Sequence, residues 1–198
     1  MEHFYHNIGE PWFTSQFVYT DAVNIFPDGA HFVEVGSWRG RSAAYMAVEI
    51  VNSQKFIRFD CVDTWTGSPE HREEGSPFFV RELLDDPDYL YKEFLKNTES
   101  VAHIIRAIRR PSLEAVSLYL DRSLDFVFID AAHDYGSVRA DILAWLPKVK
   151  RGGVLAGDDY GEQWPGVEKA VSECIGDGIF NPGNFNIHQG TWIYHKRQ

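Results

Sequence analysis

Apolar and polar positions along this chain fall into blocks whose period keeps changing. Residues 31–35, 56–62, 103–108, 124–129 and 154–157 are short, nearly continuous apolar runs, the pattern of parallel strands buried on both faces. Between them the period becomes helical. Residues 42–52 carry Ala, Met, Val and Ile at helical spacing, 112–120 form a second helix, and Val138, Ile142, Trp145 and Leu146 make one stripe. That stripe is closed by the basic residues of 148–151 and a Gly152-Gly153 turn. A leader helix is expected over 15–25, ended by Pro27-Asp28-Gly29, and another helix over 164–175 with Pro165 near its start. Residues 184–188 and 191–195 flank Gln189-Gly190 as a closing hairpin. Strand and helix alternate five times, which predicts one doubly wound, mostly parallel α/β domain over 1–198.

One stretch breaks the alternation. Residues 64–91 hold Gly67-Ser-Pro-Glu-His-Arg-Glu-Glu-Gly-Ser-Pro77 and Asp85-Asp-Pro-Asp88, with few periodic apolar positions. A long insertion of this kind in a compact domain is usually functional. It reads as an active-site lid containing short helical pieces, and residues 1–30 as an N-terminal helical segment.

Two of the apolar runs end abruptly in acids: Phe126-Val-Phe-Ile-Asp130-Ala-Ala-His133, and Gly157-Asp158-Asp159-Tyr160. Chemistry in α/β proteins gathers at the carboxyl ends of strands. Three carboxylates delivered there by two strands can hold a hard cation through oxygen, and His133 beside them is a natural proton acceptor near neutral pH. The plainer alternative keeps Asp158 and Asp159 as loop caps and His133 as a structural hydrogen-bonder packed on Tyr135.

The first strand enters Glu34-x-Gly36-x-x-x-Gly40 and then a helix, a turn suited to a nucleotide cofactor. Asp63, one strand further on, can take ribose hydroxyls. A dinucleotide turn needs a second glycine where Trp38 stands, and Glu34 would repel a pyrophosphate. Ammonium and sulfonium groups suit Glu34 better, and Ser42 with the helix start can receive a carboxylate. Charge therefore favours S-adenosylmethionine over a nicotinamide cofactor.

Composition narrows the partners. The chain has 198 residues, 44% of them hydrophobic, enough for a substantial core. Its formal net charge of -10 argues against a non-specific grip on nucleic acid. Two cysteines, Cys61 and Cys174, support neither a disulfide framework nor a thiolate zinc site. The N-terminus shows no basic stretch followed by an apolar one, and no run is long enough to span a bilayer. The expectation is a soluble cytoplasmic protein without a membrane partner. Trp12, Phe13, Phe17 and Tyr19 either form a homodimer face or cover the sheet.

As an ordered set, Val33–Ser42, Cys61-Val-Asp-Thr-Trp65, Phe128-Ile-Asp-Ala-Ala-His133 and Gly152–Tyr160 resemble the class I S-adenosylmethionine-dependent methyltransferases. More narrowly the chain is similar to small metal-dependent O-methyltransferases of the catechol and macrolide-sugar type. The resemblance implies a Rossmann-like seven-stranded sheet whose last strand is antiparallel. It implies that Glu34, Gly36, Ser37, Gly40 and Ser42 line the methionine moiety and that Asp63 binds the ribose. Trp65 and Ser112 would lie near the adenine, with Thr64 and Asp130 also counted among the cofactor contacts. Asp130, Asp158 and Asp159 would hold magnesium or another divalent cation, and His133 stands where catechol-type enzymes place a base. Two positions depart from the pattern. Ala132 replaces a second aspartate, and Arg109-Arg110-Pro111 replaces a frequent Gly-Asp before Ser112.

The expectation is thus an O-methyltransferase acting on a hydroxyl of a small sugar or phenol, assisted by a divalent metal. A metal-independent methyltransferase and a non-catalytic module binding S-adenosylmethionine or S-adenosylhomocysteine are the alternatives.

Overall fold

In the computed structural model, which describes residues 1–176 and 184–197, the apolar runs become strands of one sheet. They are β1 (His31–Val35), β2 (Arg58–Asp63), β3 (Ile105–Arg109), β4 (Leu124–Ile129), β5 (Val149–Gly157), β6 (Phe185–His188) and β7 (Thr191–His195). Among the described residues the sheet has seven strands in the order β3-β2-β1-β4-β5-β7-β6. The first five are parallel, and β7 runs antiparallel to both β5 and β6.

Alternation within each strand divides the core into two layers. Phe126 and Phe128 of β4 join Phe32 and Phe59 against α1 (Gln16–Ile25), α2 (Arg41–Ser53) and α4 (Tyr89–Asn97). Val127 and Ile129 join Val33, Val62 and Leu155 on the other face, against α5 (Ser112–Ala115), α6 (Tyr135–Trp145) and α7 (Pro165–Val171). Successive strand side chains point to opposite faces, so a run apolar at every position must be covered on both.

Several boundaries differ from expectation. β5 begins at Val149 and runs through Gly152-Gly153, where a turn was expected. A register shift against β4, between Leu124 and Phe126, absorbs the glycine pair. The lid holds a short helix, α3 (Glu82–Asp85), and the 3₁₀ turn Pro69–His71. Its last residues already belong to α4, whose Leu90 and Phe94 are buried one helical turn apart. Helix α5 tightens into a 3₁₀ turn after Ala115. No helix among the described residues is long and apolar enough to cross a membrane.

The chain winds outward from β1 through β2 to β3, then returns beside β1 as β4 and proceeds to β5. Strand order therefore reverses between β1 and β4. The loops leaving these two strands diverge and open a crevice at their carboxyl ends.

Candidate active site

A cavity of about 660 Å³ occupies that crevice. Its floor depends on Gly36, where φ is +88° and an added Cβ would lie 1.9 Å from the Asp130 carbonyl oxygen. The backbones of β1 and β4 touch there, and the Asp130 amide donates to the Val35 carbonyl (2.8 Å). Asp63 fixes the loop above. Its Oδ2 accepts from the Ser37 and Trp38 amides (2.8 and 2.9 Å), and its Oδ1 from the Trp65 amide (2.7 Å). Trp38 and Trp65 both adopt positive φ, +46° and +51°, a conformation costing on the order of 1–3 kcal/mol for a bulky residue. Charge-assisted bonds to one carboxylate are what hold both in place. A carboxylate has about four lone-pair sites, so Asp63 keeps little capacity for two ribose hydroxyls.

Glu34 lies directly behind this loop, 1% exposed. The Tyr19 hydroxyl of α1 donates to its Oε2 (2.7 Å); Oε1 has no donor of good geometry, and the Ser37 and Ser42 hydroxyls stand close enough only to draw on the carboxyl's charge. Burial pushes the Glu34 carboxyl up to about 7, against the lowering effect of the Tyr19 hydrogen bond. A buried acceptor lacking a donor costs free energy until a ligand supplies one. An ammonium-bearing methionine moiety brings that donor, so the residues present fit S-adenosylmethionine. The start of α2 beside it carries no side-chain cap, and Arg41 and Ser42 line the cavity.

Acids crowd the β4 and β5 ends. Asp130, His133 and Asp159 have ligand atoms all within 4.8 Å of one another. Asp159 stands at φ +66°. Burial raises the Asp130 carboxyl well above the ordinary range, and the charges of Asp159, Asp158, Glu34 and Asp63 push it the same way. Burial and then Asp159 also raise Asp158. An oxygen-rich cluster with one imidazole and self-repelling acids fits a divalent cation. Asp158, expected to share this role, lines the same cavity and is also held from outside it: its Oδ2 accepts from Ser15 Oγ (2.9 Å) and its Oδ1 from the Asp159 amide (3.0 Å). The acids that converge with His133 are Asp130 and Asp159.

His133 stacks on Trp164 at 3.9 Å, not on Tyr135. Its Nε2 lies 3.0 Å from Asp159 Oδ2 and its Nδ1 3.4 Å from Glu70 Oε1 in the lid. Burial lowers its pKa, but the Asp159 and Glu70 carboxylates outweigh burial and the net shift is upward. Further rings continue from this stack in an arc. Trp164 meets Phe78 (5.7 Å), Phe78 meets Trp12 (5.7 Å), Trp12 meets Trp38 (6.2 Å), and Trp38 meets His71 (4.2 Å). Four loops and the N-terminal segment contribute to it.

At the other end, Ser112 Oγ donates to Asp141 Oδ1 (2.5 Å) and accepts from the Trp145 indole (2.8 Å). Burial pushes Asp141 up to about 6, against that Ser112 hydrogen bond.

The cavity wall thus includes Gly36, Ser37, Ser42, Asp63, Thr64, Ser112, Asp130, His133, Asp158 and Asp159. Three expected residues are outside it. Glu34 lies behind the loop. Gly40 packs α2 against α4, where an added Cβ would meet Thr98 Cγ2 at 2.8 Å. Trp65, expected near the adenine, is fully buried between Tyr91 and Phe94, its indole donating to the Trp38 carbonyl. Its left-handed backbone turns the ring into the core. Sequence reading passed over Ser15, Tyr19, Glu70 and Asp141. Ser15 and Tyr19, four apart on one helix face, carried a faint signal; the others carried none. Phe13 and Tyr19 are buried in this chain's own core, while Trp12 is 47% exposed.

Comparison with known proteins agrees with this geometry. A family model described as a methyltransferase domain matches residues 33–160. An uncharacterized protein of Sinorhizobium fredii is 26% identical over 117 residues, covering 59% of this chain; the match spans 12% of that protein's length. Among solved structures, the O-methyltransferase NovP superposes with a TM-score of 0.66 at 18% identity, covering 92% of this chain and 79% of its own. Cofactor-bound Rv0187 from MTB gives 0.67 at 15%, covering 96% and 84%. The calicheamicin methyltransferase CalS11 gives 0.63 at 17%, covering 91% and 77%; its apo form is described as a TDP-rhamnose 3'-O-methyltransferase. At these identities the structural likeness establishes the fold, and the family match over most of the chain goes further: this chain belongs to the methyltransferase-domain family.

Proposed function

We propose that the protein transfers a methyl group to a hydroxyl of a small ring-bearing acceptor, assisted by a divalent cation. The observation that carries this reading is the convergence of Asp130, Asp159 and His133 on one edge of the cavity, beside the unpartnered Glu34 and Ser37 atoms. The O-methyltransferases NovP and CalS11 share the fold, which supports a hydroxyl as the target.

When bound, S-adenosylmethionine supplies an electrophilic methyl on a sulfonium, and a divalent cation supplies charge that acidifies an adjacent hydroxyl. The chain does the positioning. Ser37, backed by the buried charge of Glu34, faces the ammonium end, and the uncapped start of α2 faces the carboxylate. Asp130 and Asp159 would hold the cation, with Asp158 near enough to add its charge. With Asp159 turned to the cation, the neutral His133 imidazole would be free to take the hydroxyl proton at Nε2, and its stack on Trp164 fixes the plane of the ring. Lid and N-terminal segment cover the crevice, excluding water from the transfer.

Calorimetric titration of S-adenosylhomocysteine, with magnesium and with chelator, on the native chain and on Asp130→Asn, tests this. Cofactor binding plus a separate magnesium isotherm that the substitution abolishes is the expected result. Binding without a magnesium isotherm would overturn metal assistance in favour of a metal-independent enzyme. Binding with no methylated product across hydroxylated acceptors would favour the non-catalytic module.

A further inference from the structure

Ser15 is fully buried at the start of α1 and does not cap it. A serine in that place ordinarily turns its oxygen onto the first amides of its own helix. Here the hydroxyl points away, to two groups far along the chain. It donates to Asp158 Oδ2 (2.9 Å) and lies 2.7 Å from the hydroxyl of Thr191, which is fully buried at the start of β7. Two hydroxyls carry two protons. With the Ser15 proton on Asp158, the Thr191 proton goes to Ser15, and the three groups form one chain of donors ending on a carboxylate. Successive hydrogen bonds of this kind polarise and strengthen one another where water is excluded.

Asp158 passes this hold to its neighbour. Its Oδ1 accepts from the Asp159 amide (3.0 Å), and Asp159 has a left-handed backbone, φ +66°. Asp63 secures the left-handed Trp38 and Trp65 by the same means. For Asp159 the consequence is directional. The two adjacent acids diverge, Asp158 toward Ser15 and Asp159 toward the edge it shares with Asp130 and His133, where its Oδ2 lies 3.0 Å from Nε2. Beyond them the Tyr160 amide donates to the Gly190 carbonyl (2.8 Å), pinning the loop to the turn between β6 and β7. Without the Ser15 hydroxyl, Asp158 Oδ2 loses its donor. Thr191 is then left with a 3.4 Å approach to Asp158 Oδ1, long for a hydroxyl hydrogen bond.

We infer that Ser15, backed by Thr191, is a positioning residue for the cation edge: it fixes Asp158, and through the Asp159 amide it fixes the direction of the Asp159 carboxylate. The inference rests on the metal-assisted reading above. Neither hydroxyl lines the cavity, so both act on the cation only through the two acids. Partners that orient a metal ligand from behind typically govern affinity for the metal, although they never touch it.

Calorimetric titration of magnesium into the full chain saturated with S-adenosylhomocysteine tests it, on the native protein, Ser15→Ala and Thr191→Val. The affinity for S-adenosylhomocysteine is measured on each in parallel. Ser15→Ala should weaken magnesium binding by about tenfold, and Thr191→Val, which keeps the shape and removes the hydroxyl, should weaken it by less. S-adenosylhomocysteine affinity should stay within about twofold in both. That split is what a general loosening of the fold would not produce, since it would weaken both ligands together. Because Ser15 does not cap α1, its loss takes no hydrogen bond from that helix. Unchanged magnesium affinity in Ser15→Ala, or parallel loss of both affinities, would overturn the inference. Should Ser15→Ala fail to fold, the same two outcomes in Thr191→Val decide. A native chain that binds S-adenosylhomocysteine but shows no magnesium isotherm would overturn the metal-assisted reading itself, and this inference with it.

Discussion

The sheet buries acids in two places, and they are treated in opposite ways. Toward the amino ends of the strands, Asp60 is 3% exposed and its Oδ2 meets donors and cations: His31 Nε2 lies at 2.9 Å, the Tyr119 hydroxyl donates at 2.8 Å, and Arg106 lies at 3.8 Å. Asp125 beside it receives the His31 amide and Lys150. At the carboxyl ends Glu34 is equally buried with the Tyr19 hydroxyl as its best-aligned donor, and Asp130 faces the like charges of Asp159 and Asp158 with no cation paired to it. Burial alone therefore does not mark the functional site. Unanswered charge does, because only a ligand can offset what the fold leaves uncompensated.

The sharpest way to break this contrast is Asp130→Asn. Removing charge from the crowded end should lower methyl transfer by at least ~100-fold, the scale of losing one transition-state-stabilising group. Thermal stability should be unchanged or higher, because repulsion is relieved. A melting point that falls with activity would erase the distinction between the two ends.

Asp60→Ala is the converse. It strands the buried His31 ring and Tyr119 hydroxyl and should cost about 3 kcal/mol, lowering Tm by roughly 10 °C for a chain of this size. S-adenosylhomocysteine affinity, measured well below the transition, should stay within about twofold, since Asp60 is absent from the cavity wall.

Glu34→Gln should separate folding from function within one residue. A rise from 4.5 to about 7 corresponds to about 3 kcal/mol of penalty on the ionised form. The substitution should recover roughly 1–3 kcal/mol at pH 8, by denaturant titration, while weakening S-adenosylhomocysteine binding about tenfold.

The smallest effect is a slope with pH. Glu34 and Asp141 bind protons more tightly folded than unfolded, since burial raises both, to about 7 and about 6. Their contribution is fully present below the unfolded values and is lost as pH rises through the folded ones. Apo-protein stability should thus decline between about pH 4 and 7 through these groups, and Glu34→Gln should flatten the upper part. An unchanged slope in that variant would show that Glu34 ionises as freely as in water.

Much of the site was legible because strand periodicity is local. A run such as Phe126-Val-Phe-Ile must be covered on both faces, and its abrupt end at Asp130 places that acid at the sheet edge. Gly36 was legible for the same reason, since a turn leaving a buried strand allows no Cβ there. Trp65 was misread and the anchoring of Asp158 was missed because their surroundings come from far away: Tyr91 and Phe94 enclose the first, and Ser15, 143 residues distant, donates to the second. Glu70 lies in a segment without periodicity, where no pattern predicts which charge turns inward. Asp141 sat on a helix stripe read as apolar, and only its approach to Ser112 makes it part of the cavity.

What the sequence by itself determined is the order of strands and helices and the acids at their ends, because hydrophobic period and chain direction are properties of neighbouring residues. Only the tertiary structure decided which of those acids are answered. Pairing is set by side chains that meet across the sheet, and the same Asp is a structural anchor or a ligand according to the donors that the fold brings within about 3 Å of it.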